Sequence, residues 1–96
     1  MKLCMIGTGY VGLVSGVCFS DLGNIVYCVD NDVNKINSLN KGLVPIYEPG
    51  LEEILKKNHK QKRLFFTSDL KKAIQQVNGS YGITKEMMMH QLVETI

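Results

Sequence analysis

Three glycines, Gly7, Gly9 and Gly12, stand between a short apolar run and a longer one, and this arrangement constrains the chain more than any other feature. The run at residues 3–6 reads as a strand buried on both faces of a parallel sheet. Residues 10–22 carry Val11, Val14, Val17, Cys18 and Leu22 at helical spacing, with Gly23 as the stop. A second strand at 25–29 is rich in β-branched and aromatic residues and ends at an acid, Asp30. Each part of this order has a reason. Gly7 lets the chain turn sharply out of the strand, Gly9 leaves room for a pyrophosphate against the backbone, and Gly12 lets the helix pack tightly on the sheet. The helix start then directs unpaired N–H groups at the phosphates, while Asp30 accepts hydrogen bonds from ribose hydroxyls. Strand, glycines, helix, second strand and acid in register predict a dinucleotide site.

Composition bounds the rest. A chain of 96 residues holds one small domain, and 45% hydrophobic with 21% charged residues is the balance of a soluble globular one. A net charge of +2 is too small to argue for nucleic acid or an anionic membrane. Lys56, Lys57, His59, Lys60, Lys62 and Arg63 cluster, but without interleaved aromatics they read as a charged helix end, with His59 a surface residue lacking a partner cysteine, histidine or acid at ligand spacing. Cys4, Cys18 and Cys28 have neither metal-ligand nor CxxC spacing, so buried, reduced thiols of a cytoplasmic protein are expected, with no metal. Gly7, Gly9, Gly12 and Gly16, with no small-residue cleavage site, argue against a secretory signal, and no apolar segment is long enough to span a membrane.

After Asp30, a short helix is predicted over about 32–41, capped by Asn31 or Asp32 and closed by Gly42. Spacing alone reads Lys35 as a solvated helix lysine, although the first turn lies beside the adenosine end of a bound cofactor. Residues 43–50 are the least helical, with Pro45 and Pro49 fixing their direction, and Pro49 suits the first turn of the next helix. That helix places Glu52 and Glu53 early and Lys56, Lys57 and Lys60 late, as the macrodipole favours, with Leu51, Ile54 and Leu55 as its apolar face. A third strand at 64–67 precedes a helix capped by Ser68 or Asp69 and carrying Leu70, Ala73 and Ile74. Beyond Gln76 the alternation stops. A doubly wound sheet of order 3-2-1-4 needs a fourth apolar strand there, yet residues 77–82 look turn-like. Thr84 then caps a last helix whose Met88, Leu92 and Ile96 form a packing stripe. The expected class is α/β: an incomplete Rossmann-type three-layer fold with parallel strands near 2–6, 25–29 and 64–67 and the fourth missing. Residues 1–76 form the partial domain and 77–96 a tail.

GTGYVGL at 7–13, VDND at 29–32, KI at 35–36, LNKG at 39–42, PIYEPGL at 45–51 and RLFFTSDLKKAI at 63–74 closely resemble the N-terminal portion of the UDP-glucose/GDP-mannose dehydrogenase family. PIYEPGL is the most specific of these, since it separates nucleotide-sugar dehydrogenases from other NAD enzymes; the opening motif alone also admits an FAD-linked fold, against which PIYEPGL argues. The resemblance covers about 1–76 and does not extend into the tail. It implies oxidation of UDP-glucose to UDP-glucuronate with two NAD⁺ in succession and a cysteine thioester intermediate; UDP-N-acetylmannosamine and GDP-mannose are the substrates of near relatives. It also implies cofactor contacts from the backbone around Tyr10 and Val11, from Asp30 to the ribose, and from Lys35 near the adenosine end. Local chemistry favours NAD over NADP, because Asp30 repels a 2′-phosphate and Asn31 offers no positive charge to hold one.

In the family the catalytic cysteine and the lysine, asparagine and aspartate that work with it belong to later segments. No catalytic residue is therefore assigned here, and Cys4, Cys18 and Cys28 are not given that role. The chain is expected to be an NAD-binding fragment, left by truncation, frameshift, fusion or deliberate shortening, with weak or absent NAD binding and no activity alone. The alternatives are a non-catalytic nucleotide-binding or interaction module, self-associating through the open edge of the first strand, or a remnant that does not fold stably.

Overall fold

The computed structural model describes residues 2–45 and 47–78, and these form an alternating α/β unit. Its elements are β1 (Lys2–Ile6), α1 (Tyr10–Asp21), β2 (Ile25–Val29), α2 (Val33–Asn40), α3 (Leu51–Lys60), β3 (Leu64–Thr67) and α4 (Leu70–Asn78). Among the described residues the sheet has three strands in the order β1-β2-β3, all parallel, with Met5 opposite Cys28 and Cys28 opposite Phe66. These are the three parallel strands expected of a Rossmann-type sheet, with β1 at one edge among the described residues. The predicted turn at 79–82 and the Thr84-capped helix lie outside the described residues.

Strand alternation sorts the core into two layers. Leu3, Met5, Val26, Cys28, Leu64 and Phe66 pack on one face with Leu13 and Val17 of α1, Ile36 and Leu39 of α2, and Leu51 and Leu55 of α3. Cys4 and Val29 pack on the other with Ala73 and Val77 of α4, flanked by Ile6 and Tyr27. Tyr27 and Phe65 stack beside them with ring centroids 4.9 Å apart.

The buried face of α1 differs from the one that spacing suggested. Gly12, Leu13, Gly16, Val17 and Ser20 are buried, whereas Val11 is 41% and Leu22 78% exposed. The helix is apolar nearly all round, so periodicity has no polar side to exclude, and sterics choose instead. A Cβ added at Gly16 would meet the Cys28 Sγ at 2.7 Å, so the small residues define the side that lies against the sheet. Cys18 is consequently exposed, which corrects the expectation of three buried thiols, while Cys4 and Cys28 are buried.

Three further expectations are corrected. Pro49 precedes α3 rather than starting it: Gly50 is the N-cap with φ 83° and ψ −12°, and the Leu51 N–H donates to the Glu48 carbonyl at 3.1 Å. That is a type II turn, with Pro49 and the positive-φ Gly50 at its centre. The last described helix runs through Asn78, and Val77 is fully buried one turn beyond Ala73, whereas Leu70 is 41% exposed. His59 is half-buried rather than at the surface, stacked on Phe66 and 3.3 Å from the Asn40 Oδ1.

The buried polar residue Asn58 ties three elements together. Its Nδ2 donates to the Asp21 Oδ1 at 3.1 Å and the Ile54 carbonyl at 2.9 Å, and its Oδ1 accepts from the Arg63 Nε–H at 2.9 Å. With Lys57 Nζ 2.7 Å from the Asp21 Oδ1, the end of α1 is fixed to α3 and to the entry of β3. Substituting Gly16→Ala should therefore destabilise the chain by a net ~1–2 kcal/mol, overpacking against Cys28 exceeding the gain in helix propensity. Urea unfolding measures this, and an unchanged or higher midpoint would remove the close helix–sheet contact as a constraint.

Candidate functional site

The site is built where β1 and β2 end. Gly7 leaves β1 with φ 98°, a left-handed conformation that glycine adopts without a Cβ penalty. Its N–H donates to the Val29 carbonyl at 2.7 Å, joining the exits of the two strands. Gly9 has ordinary dihedrals, φ −69° and ψ −172°, and a Cβ added there would meet nothing within 4 Å. Nothing within the described residues requires glycine at that position. The bare backbone opens space outward, as close approach of a ligand demands.

Tyr10, Val11 and Gly12 form the first turn of α1. No side chain caps this helix, and its first bond runs from the Leu13 N–H to the Gly9 carbonyl at 2.9 Å. The three preceding N–H groups stand at the positive end of the helix dipole without intrahelical partners. An open backbone at Gly9 beside an uncapped helix start fits a pyrophosphate. Tyr10 and Val11 are exposed at this rim.

Asp30 completes the site. Its Oδ2 accepts the Thr8 N–H at 3.0 Å and the Thr8 hydroxyl at 2.6 Å, and lies 3.6 Å from the Lys35 Nζ. Its Oδ1 accepts the Asp32 N–H at 2.9 Å, while Asp32 caps α2 by accepting the Lys35 N–H at 3.1 Å. Burial alone would push the Asp30 carboxyl up. The Thr8 hydroxyl, the Asp32 and Thr8 N–H groups and the Lys35 charge outweigh it and hold the group down at about 2. Asp30 is thus ionised at neutral pH, and Oδ1, with one bond from the described residues, retains acceptor capacity for a ribose hydroxyl.

The residues singled out from the sequence therefore converge. Gly7, Gly9, Tyr10, Val11 and Gly12 form one continuous turn, Asp30 is bonded to it through Thr8, and Lys35 is ion-paired with Asp30. Two residues were missed. Thr8 is only 2% exposed and serves as the link; a hydroxyl residue between the glycines, next to the strand that ends in an acid, was the available signal. Glu48 accepts the Tyr10 hydroxyl at 2.7 Å across 38 positions of sequence, and no local pattern announces that contact. This bond, followed by the Glu48 charge, raises the Tyr10 phenol above its ordinary value.

The two buried thiols are not activated nucleophiles. Burial pushes Cys4 up to about 11 and raises Cys28 further. Among the described residues no group of three or more His, Cys, Asp or Glu is placed to hold a metal, and no helix is long and apolar enough to cross a membrane.

A family model described as the UDP-glucose/GDP-mannose dehydrogenase family, NAD binding domain, matches residues 1–81. The chain is 58% identical over 74 residues to a UDP-glucose 6-dehydrogenase of Rhizobium meliloti, covering 77% of this chain and 17% of that protein. It is 56% identical over 73 residues to the UDP-glucose 6-dehydrogenase TuaD of Bacillus subtilis, covering 76% and 16%. Its structure is similar to that of a GDP-mannose dehydrogenase from Pseudomonas aeruginosa solved as a ternary complex, with a TM-score of 0.74 and 43% identity over 77% of this chain and 17% of the other. A UDP-glucose dehydrogenase from Pyrobaculum islandicum aligns with a TM-score of 0.72 and 38% identity over 76% and 17%. The chain thus spans under a fifth of the length of these relatives.

Because its folded-state value is depressed, Asp30 contributes stability that is fully present above its ordinary value near 3.8 and lost as pH falls through about 2. Between pH 5 and pH 2 the wild-type chain should lose about 1 kcal/mol more stability than Asp30→Asn, allowing for solvent screening. Thr8→Val should remove much of that difference. Urea titrations at both pH values measure it, and a Thr8→Val profile identical to wild type would show that the hydroxyl does not hold the carboxylate down.

Proposed function

Since the chain belongs to the UDP-glucose/GDP-mannose dehydrogenase family, with residues 1–81 matching its NAD binding domain and NAD as the cofactor, we propose that the β1–α1 turn and Asp30 are the half-site that holds NAD. In this reading the N–H groups of Tyr10, Val11 and Gly12 bind the pyrophosphate over the bare backbone of Gly7 and Gly9. Asp30 receives an adenosine ribose hydroxyl through Oδ1, and Lys35 stands at the adenosine end. The observation that carries it is an ionised carboxylate bonded directly to the loop that precedes an uncapped helix start. When bound, NAD supplies the hydride acceptor. The residues named here bind and orient it, and the negative charge of Asp30 disfavours a 2′-phosphate.

For the whole protein we propose UDP-glucose as the substrate, oxidised to UDP-glucuronate in the cytoplasm. The relatives at 58% and 56% identity, both UDP-glucose 6-dehydrogenases, favour it over GDP-mannose, whose dehydrogenase is 43% identical. The chain alone does not run this reaction. Cys4 and Cys28 are buried, and the exposed Cys18 sits about 12 Å along α1 from Tyr10 at 1.5 Å per residue. We place the cofactor half-site within residues 1–76, with α4 carrying the same unit on through the buried Val77 to Asn78.

Saturation-transfer NMR on the 96-residue chain should detect NAD with a Kd on the order of millimolar, since one wall of a full pocket must hold it. NADP should bind at least ~10-fold more weakly, and Asp30→Asn should erase that preference. Adding UDP-glucose should give no NADH. Equal binding of NAD and NADP by the wild-type chain would sink the assignment of Asp30, and NADH production would sink the assignment of catalysis to segments outside the chain.

A further inference from the structure

The PIYEPGL stretch is not required by a strand–helix–strand nucleotide unit, yet it makes a direct contact with the glycine turn. We infer that Glu48 is a positioning residue for the dinucleotide site, acting through the ring of Tyr10; the inference rests on the reading of that site as an NAD half-site.

The two ends of the contact are fixed from different parts of the fold. Glu48 is held by the type II turn, its carbonyl accepting the Leu51 N–H at 3.1 Å while Gly50 takes φ 83°. Leu51 is 3% exposed and belongs to the same core cluster as Leu13 and Val17 of α1. Tyr10 is the first residue of α1 and follows Gly9 directly. Its hydroxyl donates to the Glu48 Oε2 at 2.7 Å. The acceptor is thus anchored through α3 to the core that also seats α1, and the bond closes a ring between the glycine turn and the segment preceding α3.

The position of Tyr10 makes the bond consequential. The ring grows from the turn of helix whose N–H groups must meet the pyrophosphate, and it is 54% exposed, so packing alone does not select its rotamer. A bond to a charged acceptor, stronger than one between neutral groups, keeps the ring on the side of the 43–50 segment and leaves the helix start open. The phenol is a neutral donor at neutral pH, and the bond to Glu48 raises it further above its ordinary value. Glu48 therefore acts on the cofactor site without touching the cofactor.

The test is a double-mutant cycle on NAD binding by the 96-residue chain, read by saturation-transfer titration with urea unfolding as the stability control. Tyr10→Phe and Glu48→Ala should each weaken NAD binding roughly 3- to 10-fold, the loss of one bond to a charged group at an open site. The double variant should be no weaker than either single one, and Glu48→Gln, which keeps an acceptor, should retain most of the affinity. Unfolding midpoints should stay near wild type. Wild-type affinity in Tyr10→Phe, or additive losses in the double variant, would overturn the inference while leaving the site reading intact. No NAD binding by the wild-type chain would overturn the site reading and the inference with it. If Glu48→Ala does not fold, Tyr10→Phe compared with Glu48→Gln decides alone: loss in the first and retention in the second supports the inference, and any other pattern rejects it.

Discussion

The close approach of α1 to the sheet is the contact on which the rest of the site depends. At Gly16 there is no room for a methyl group against the Cys28 sulfur, and Gly12, one turn earlier, is buried on the same side. A helix seated this closely over β2 has its start delivered to the gap where β1 and β2 end, at the carboxyl edge of a parallel sheet. The Gly7 N–H bond to the Val29 carbonyl fixes that gap from below. Ligand sites in open α/β sheets form at this edge because helix starts and strand ends meet there. The small residues are a packing solution first, and the open helix start at the strand ends is its consequence.

Charge is then distributed over the frame in two parts. The uncapped start of α1 is positive by its dipole, and Asp30, one strand over, is a carboxylate held ionised by two donors from Thr8, one from Asp32 and the nearby Lys35. Thr8 belongs to the turn and bonds to the acid, so the glycine turn and the end of β2 are tied to each other. On the opposite side Tyr10 and Glu48 join the same turn to the segment before α3. The glycine turn is thereby braced from β2 and from α3, which suits a loop that must present backbone groups without side chains to hold it.

Much of this was legible in the sequence where one local rule decides the outcome. The strands, the Gly7 turn, the Gly42 stop and the position of Asp30 follow from short-range patterns, and the structure places them as expected. The face of α1 was not legible, because a helix apolar on all sides carries no periodic signal and only the steric demand of Cys28 on Gly16 selects it. The same error misplaced Cys18. Val77 opens a stretch that looks turn-like in sequence, yet its spacing of one helical turn from Ala73 buries it and extends α4. Thr8 and Glu48 act through contacts spanning 22 and 38 positions, and Asn58 through one spanning 37, distances that local patterns do not encode. PIYEPGL was recognised as a family mark, but its physical work, a turn that aims Glu48 at Tyr10, emerged only in three dimensions.

The most direct test of the central claim, that the β1–α1 turn and the end of β2 together form an NAD half-site, is amide-resolved NMR of the labelled 96-residue chain titrated with NAD. The account predicts the largest shifts at the N–H groups of Gly9, Tyr10, Val11 and Gly12, with a second cluster at Asp30, Asp32 and Lys35. Shifts confined to another surface, such as α3 or the Tyr27–Phe65 face, or none at saturating nucleotide, would contradict it.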